Sequence, residues 1–242
     1  MRTSQLEKHG LKHHLKRSLL PAGIAPRVIH FGLLAGLKME LDFAHNAQRW
    51  LGLQERELCT WFRRLSNGIR TAIDVGANEG MYTLYFLSKT SARKVFAFEP
   101  SEQSLERLKT NLTLNGLAEN SRLEIVPKCV GASADGQMVT LDSFAERVQP
   151  PCLLKVDIDG GEVSLLEGTR VLLSSTTEMR CIIEVHSNAL QEKCIDILQA
   201  ANYHVVVVRN AWWRHILPEL RPGELNQWII ALPRTTNLAK RG

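Results

Sequence analysis

The sequence lacks a long uninterrupted apolar run, and this absence argues against a membrane-spanning protein. The longest candidate, Leu19–Leu37, contains Arg27, His30 and two prolines, whereas a spanning helix needs about 20 predominantly apolar residues. The N-terminal residues also lack an apolar block followed by a small-residue cleavage site, so no secretory signal is evident. We therefore expect a soluble, cytoplasmic protein.

Cysteine is scarce, and its spacing excludes two kinds of stabilising site. The chain has five cysteines that lie far apart, mostly within apolar segments. An odd number at such distances favours neither a disulfide framework nor a zinc-ligand pattern. A cysteine in an apolar segment usually behaves as a small hydrophobic side chain, so we expect free thiols.

The positive charge is confined to one end of the chain. Residues 1–30 contain six Lys or Arg and one acidic residue, whereas the rest contains 24 basic and 24 acidic residues. Nucleic-acid binding requires a clustered basic face, so we expect no nucleic-acid partner. Within "LKHHLKRSLL" (residues 11–20), three leucines share a helical face. This pattern predicts either weak contact of residues 1–20 with a membrane surface or packing on the protein's own domain.

From Thr71 onward, short apolar runs alternate with amphipathic segments, the pattern of a mainly parallel sheet covered by helices. Strands are predicted at 71–75, 94–99, 122–126, 152–157, 180–185, 204–209 and 227–232, and helices near 80–89, 101–115, 141–148, 162–174 and 189–201. The last two strands, which no clear helix connects, are predicted to be antiparallel. We expect an N-terminal cap at 1–70, with a hairpin around Gly36 and a helix at 54–65, followed by one domain at 71–242.

The first predicted strand ends in a turn suited to a polar ligand. "DVGANEG" places Asp74 at the strand end and Gly76 and Gly80 in the turn, where glycine lets the backbone approach a ligand closely. A dinucleotide-binding turn would carry a glycine where Asn78 stands, so a pyrophosphate is disfavoured. Glu99 follows the second strand, where an acidic residue can accept hydrogen bonds from both hydroxyls of a ribose. Together these features predict a nucleoside with a cationic, hydrogen-bonding end.

Several segments together carry a family resemblance. They are "AIDVGANEGMYTLYF", "VFAFEP", "LKTNLTLNGL", "LLKVDIDGGEVSLLEG" and "IIEVHS", preceded by "GLLAGLKMEL" and "WLGLQERELCTWF". In order and spacing they resemble the FkbM-type methyltransferases. The resemblance implies an α/β, Rossmann-like class I methyltransferase fold with a seven-stranded, mostly parallel sheet and an antiparallel last strand. It also implies the cofactor S-adenosyl-L-methionine and methyl transfer to hydroxyl groups.

The resemblance assigns roles to individual residues. Asp74, Gly76, Asn78 and Gly80 would line the methionine and ribose part of the cofactor, Glu99 would hold the ribose hydroxyls, and Asp157 would lie close to the reacting end. The segment at 128–131 would lie near the adenine. The chain departs from the family at Asp159, where a glutamate is usual, and this shorter side chain reaches about one methylene less far, so the resemblance assigns it no direct role.

Candidate catalytic side chains follow the fourth and fifth strands of the predicted sheet. An acceptor hydroxyl must lose its proton to a base or be activated by a metal. Asp157, Glu184 and His186 are the catalytic candidates, with His186 as the base or as a structural histidine. A buried ion pair is the alternative for Glu184 with Lys155. Magnesium could be held by Asp157, Asp159 and Glu184, but no spacing here is diagnostic, and we assign no metal ligand.

The sequence therefore predicts an S-adenosylmethionine-dependent O-methyltransferase whose partner is a small-molecule or glycan acceptor, such as a sugar or secondary metabolite. Two alternatives remain: a nicotinamide-dependent oxidoreductase, and a non-catalytic nucleoside-binding module. The segment 211–224 contains Trp212 and Trp213, whose faces suit sugar rings. It is predicted either to cover the acceptor or to close the edge of the sheet.

Overall fold

A computed structural model describes residues 23–176, 178–217 and 227–234. Its centre is a seven-stranded sheet with five parallel strands and an antiparallel pair at one edge. The strands of this sheet are β3 (Thr71–Val75), β4 (Lys94–Phe98), β5 (Leu123–Val126), β8 (Cys152–Val156), β9 (Met179–Val185), β10 (Tyr203–Arg209) and β11 (Gln227–Pro233). Their order across the sheet is β10-β11-β9-β8-β3-β4-β5.

The predicted strands and their arrangement are confirmed. The inner strands β3, β8 and β9 are buried along their whole length, as expected for a sheet covered on both faces. Strand β11 pairs antiparallel with both β9 and β10, because no crossover helix separates β10 from β11 in the described part of their connection. The order reverses beside β3, and ligands of open α/β sheets bind where such a reversal occurs.

Five of the described α-helices pack on the sheet, and they lie in four of the five segments that were predicted to be helical. They are α3 (Met81–Lys89), α4 (Glu102–Leu114), α5 (Glu162–Glu167), α6 (Arg170–Ser175) and α7 (Asn188–Ala200), with α1 (Phe43–Trp50) and α2 (Cys59–Leu65) in the cap. The segment predicted as one helix at 162–174 is broken into α5 and α6. The break lies at Gly168, where a Cβ atom would be 1.9 Å from the carbonyl oxygen of Gly131. The predicted helix at 141–148 is a 3₁₀ helix, Leu141–Arg147.

The N-terminal cap contains the predicted hairpin, but its first strand lies earlier than expected. Strand β1 (Ile24–Val28) pairs antiparallel with β2 (Lys38–Asp42), and residues 29–37 connect them. Leu33 and Leu34 are buried in this connection, so they pack into the core instead of extending a strand. The predicted helix at 54–65 is a 3₁₀ turn, Arg56–Leu58, followed by α2. Helix α1 and the two-residue strands β6 (Cys129–Val130) and β7 (Met138–Val139) were not predicted.

Two hydrophobic clusters cover the faces of the sheet. One combines α3 and α4 with cap residues such as Met39, Leu41 and Phe62, and the other contains residues of α5, α6 and α7. The cap therefore shares a core with the sheet. The predicted boundary between residues 1–70 and 71–242 stays a prediction.

One buried arginine joins the segment after β10 to the cap by hydrogen bonds. Arg214 lies in a 3₁₀ helix, Trp212–His215, and its guanidinium donates hydrogen bonds to both carboxylate oxygens of Glu57 at 2.8 and 2.7 Å. It also donates to the carbonyl oxygen of Leu53. Trp212 is 76% exposed. Residues 218–226, the rest of the connection to β11, lie outside the described residues.

The predictions for the N-terminal basic segment also fall outside the described residues, which begin at Gly23. Membrane contact through residues 1–20 therefore stays a prediction. Among the helices that the structure describes, none has the length and apolar character needed to cross a bilayer. All five cysteines are free thiols, as predicted.

Candidate active site

Two cavities adjoin at the carboxyl ends of β3, β4, β8 and β9. The smaller, of about 280 Å³, is lined by Gln54, Glu55, Gly76, Asn78, Glu99, Asp157, Asp159, Glu184 and His186. The larger, of about 440 Å³, is lined by Val75, Gly76, Phe98, Glu99, Pro100, Lys128, Cys129, Val130, Met138, Asp157, Ile158, Asp159, Gly161 and Ser164. The two share Gly76, Glu99, Asp157 and Asp159, so a ligand of extended shape can occupy both.

The turn after β3 brings the backbone close to these cavities. Gly76 has φ of +76°, and a Cβ atom there would lie 1.9 Å from the carbonyl oxygen of Asp157. The strand β3 and the segment after β8 therefore approach each other more closely than any side chain allows. Asn78 also has a positive φ of +47°, a conformation that asparagine tolerates better than most residues. The backbone conformation of this turn is thus one that its own residues, glycine and asparagine, readily adopt.

Glu99 is held in place by the same turn. One carboxylate oxygen accepts a hydrogen bond of 2.8 Å from the backbone N–H of Asn78, and the other accepts one of 2.8 Å from the N–H of Ser101. The side chain is 7% exposed, yet it lines both cavities. Because each carboxylate oxygen can accept more than one hydrogen bond, Glu99 retains capacity to accept hydrogen bonds from a ligand.

The larger cavity has the apolar walls expected for a flat ring. Phe98, Val130, Met138 and Ile158 line it, together with Lys128 and Cys129 of the segment 128–131 that the resemblance places near an adenine. This segment includes β6, which pairs with β7. The two short strands thus shape the cavity wall.

Two of the predicted cofactor residues lie behind the cavity surface. Asp74 is 1% exposed and accepts a 2.6 Å hydrogen bond from the Thr83 hydroxyl. Burial raises its pKa to about 6, although Thr83 and the Lys155 ammonium favour the ionised form. Gly80 begins α3 with φ of +88° and faces Leu108. Neither Asp74 nor Gly80 lines either cavity, so both contribute to the conformation of the turn and not to the cavity surface.

Lys155 lies at the centre of a cluster of acidic side chains. Its Nζ is fully buried, 3.5 Å from Oδ2 of Asp157 and 4.0 Å from Oε2 of Glu184. Burial lowers the pKa of this ammonium, but the nearby carboxylates of Asp157, Glu55 and Glu184 raise it by more. The ion pair that the sequence suggested for Lys155 and Glu184 is therefore present, and Asp157 takes part in it.

His186 lies between two carboxylates. Its Nδ1 is 2.6 Å from Oε1 of Glu162, and its Nε2 is 3.2 Å from Oδ1 of Asp159. The hydrogen bond with Glu162 raises the pKa of His186 above the ordinary value of 6.5, and partial burial opposes this effect. The ring also faces the smaller cavity, where Asp157 and Glu184 are its neighbours. His186 is thus both a structural contact and a cavity residue.

The three catalytic candidates predicted from the sequence come together. Ligand atoms of Asp157, Glu184 and His186 all lie within 4.8 Å of one another, so the cluster has the dimensions of a cation site. The Lys155 ammonium, however, already provides positive charge beside both carboxylates. Asp159, which the magnesium alternative included, is mostly exposed and contacts His186.

Three site residues were not predicted from the sequence. Glu162, the partner of His186, is fully buried at the start of α5. Gln54 and Glu55 reach the smaller cavity from the cap, and Glu55 accepts a hydrogen bond from the Tyr82 hydroxyl. Glutamate is common in the first turn of a helix because it interacts favourably with the helix dipole. The position of Glu162 in the sequence therefore did not indicate a role in the site. Glu55 has a positive φ of 47°, a backbone feature with no sequence signal.

Part of the chain matches a known protein family, and its fold matches solved structures. Residues 132–206 match the family model of the methyltransferase FkbM domain. The chain resembles the structure of a methyltransferase FkbM from Methylobacillus flagellatus KT, with a TM-score of 0.55 and 18% identity, over 68% of this chain and 44% of that one. A search of curated protein sequences gave no match.

Two further structures share the fold. An rRNA methylase from Streptococcus thermophilus has a TM-score of 0.52 and 13% identity, over 75% of this chain and 98% of that one. A ribosomal protein L11 methylase from Lactobacillus delbrueckii subsp. bulgaricus has a TM-score of 0.50 and 12% identity, over 76% and 80%. The fold is therefore that of class I methyltransferases. Within this fold, residues 132–206 match the methyltransferase FkbM domain, and the chain spans less than half the length of the FkbM methyltransferase that it resembles.

Proposed function

We propose that this protein methylates a hydroxyl group of a small-molecule or glycan acceptor, such as a sugar or secondary metabolite. The observation that carries the proposal is the pair of adjoining cavities, one with apolar walls and one lined by carboxylates and His186. An extended nucleoside cofactor suits the first, and a hydroxylated acceptor suits the second. Incubation with S-adenosylmethionine carrying a labelled methyl group, followed by mass spectrometry of candidate acceptors, tests it directly.

The residues at the junction of the cavities fit S-adenosylmethionine. The backbone of Gly76 lines both cavities, and Glu99 can accept hydrogen bonds from ribose hydroxyls. Asp157, which lines both cavities, offers negative charge toward a cationic ligand. When bound, S-adenosylmethionine supplies a methyl group on a positively charged sulfur. Asp74 and Gly80 then act indirectly, by supporting the turn.

The lining of the smaller cavity favours a neutral or cationic acceptor. Five carboxylates line it, those of Glu55, Glu99, Asp157, Asp159 and Glu184, and no lysine or arginine does so among the described residues. Phosphate groups would be repelled there, since like charges at close range are unfavourable. Hydroxyl groups, in contrast, donate hydrogen bonds to carboxylates. A polyhydroxylated small molecule or glycan therefore fits better than a nucleic acid.

His186 is the side chain that we assign as the base. An acceptor oxygen becomes a better nucleophile when a positioned group removes its proton, and histidine serves best near neutral pH. In this assignment the hydroxyl proton passes to Nε2, the ring nitrogen that is not paired with Glu162. Glu184 and Asp157 face the same space and stabilise the resulting imidazolium.

Replacing Glu99 should weaken cofactor binding. For Glu99→Gln we expect a loss of about 1 to 3 kcal/mol in S-adenosylmethionine affinity, because a charged hydrogen-bond acceptor is lost. Isothermal titration calorimetry with S-adenosylmethionine and its demethylated product measures the effect, with NAD as a ligand expected to bind poorly. Glu102→Gln, an exposed change at the start of α4, is the control. Equal affinity in Glu99→Gln and the control would remove Glu99 from the cofactor site.

A metal is not required in this proposal. The Lys155 ammonium already balances Asp157 and Glu184, and a divalent cation beside it would be repelled. We therefore expect EDTA to leave the rate of methyl transfer unchanged. Loss of activity on chelation and its recovery with magnesium would favour the metal-assisted mechanism instead.

A further inference from the structure

The pair formed by Glu162 and His186 has features that ordinary packing does not require. Glu162 is fully buried, and its Oε1 lies 2.6 Å from Nδ1 of His186. Its other oxygen, Oε2, has no hydrogen-bond partner among the described residues. Burying a carboxylate is unfavourable unless it is well paired, so the imidazole is the main polar partner of Glu162.

This contact determines which nitrogen of the ring carries a proton. A carboxylate can only accept a hydrogen bond, so Nδ1 must donate. A ring that also donates from Nε2 to Oδ1 of Asp159, at 3.2 Å, is a protonated imidazolium. When Nε2 loses its proton, the lone pair lies on Nε2, which faces the smaller cavity. Asp159 is an exposed side chain on a loop that includes Gly160, so an acceptor hydroxyl can take its place beside Nε2.

We infer that Glu162 is a positioning residue, which fixes the tautomer and orientation of His186 so that Nε2 receives the proton of the acceptor hydroxyl. This inference rests on the proposed function, because it presumes that His186 acts as the base. The proton moves from the hydroxyl oxygen to Nε2, while Nδ1 keeps its own proton and its hydrogen bond to Glu162. After the reaction the imidazolium releases its proton to solvent.

Several charged groups act on His186 together with Glu162. Asp159 faces Nε2, Asp157 follows β8, and Glu184 lies on β9 two residues before the ring. The Lys155 ammonium beneath Asp157 and Glu184 opposes their effect. Among the residues that the structure describes, Glu162 alone contacts Nδ1, and it alone is fully buried among the carboxylates near the ring. Its removal should therefore alter both the charge and the orientation of His186.

The test compares Glu162→Gln and Glu162→Ala with Glu167→Gln, a matched change at the exposed end of the same helix. NMR titration of the His186 ring in the ligand-free protein gives its pKa, with His186→Ala to assign the signal. We expect the pKa to fall in Glu162→Gln and Glu162→Ala and to stay unchanged in Glu167→Gln. This readout is independent of activity, so it separates the inference from the proposed function.

Kinetics supply the second readout. In Glu162→Ala we expect kcat to fall by about 10- to 1,000-fold, which is less than loss of the whole general base, worth about 100- to 10,000-fold, with unchanged affinity for S-adenosylmethionine. Glu162→Gln can still accept the Nδ1 hydrogen bond, so it should retain more activity and shift the acid limb of the pH profile to lower pH. An unchanged His186 pKa in both variants, or a rate loss that only follows thermal stability, would overturn the inference. Absence of methyl transfer by the wild-type protein would instead overturn the proposed function.

Discussion

Replacing His186 by alanine is expected to lower kcat for methyl transfer by about 100- to 10,000-fold, the usual contribution of a general base. Affinity for S-adenosylmethionine should remain nearly unchanged, because His186 lines only the smaller cavity and not the larger one. Steady-state kinetics and calorimetry measure the two effects separately. His204→Ala, which changes an exposed histidine on β10, is the control and should behave like the wild type.

The pH dependence follows from the same assignment. A base must be neutral to accept a proton, and the Glu162 contact raises the pKa of His186 above 6.5. The rate should therefore fall as the pH drops through a value above 6.5, and the fall should be absent from the residual activity of His186→Ala. If His186→Ala slows a demonstrated methyl transfer less than about tenfold, positioning alone accounts for catalysis, and His186 is a structural residue.

Replacing Lys155 by methionine is expected to lower the free energy of unfolding at pH 7 by about 3 to 5 kcal/mol, as does removal of one partner of a buried ion pair. The side chain is fully buried beside Asp157 and Glu184, and methionine leaves their charges uncompensated. Urea denaturation followed by circular dichroism measures the change. Lys94→Met removes a partly exposed pair with Glu124 and should cost no more than about 1 kcal/mol.

The loss in Lys155→Met should depend on pH in a defined direction. The folded-state pKa of Asp74 is raised from 3.8 to about 6, so folding favours its protonated form. Its contribution to stability is therefore present below pH 3.8 and is lost as the pH rises through 6. Without the Lys155 ammonium this carboxyl should protonate more readily, so the deficit should shrink between pH 7 and pH 5. A deficit that is constant over this range, or smaller than about 1 kcal/mol at pH 7, would contradict the stabilising role assigned to Lys155.

The sequence by itself determined the features that depend on neighbouring residues. The alternation of apolar runs and amphipathic segments specified the sheet, and the lack of a clear helical pattern between the last two predicted strands indicated the antiparallel end. Gly76 and Asn78 have backbone conformations that their own residue types favour. Glu99 was predicted as a ligand-binding residue because it directly follows the second predicted strand, and this position can be identified from the sequence alone. These signals identified the turn and the edge of the sheet where a ligand can bind.

Only the tertiary structure decided which side chains meet at that edge. Glu162 lies 24 residues before His186, and their contact requires the neighbouring placement of β8 and β9 together with the start of α5. Glu55 reaches the site from the cap. The acidic neighbours of Lys155 come from separate parts of the fold: Asp74 on β3, Asp157 after β8, Glu184 on β9 and Glu55 in the cap. Contacts of this kind depend on strand order and on how helices pack. Those are set by burial of apolar surface across the whole chain, and no local pattern of residues contains them.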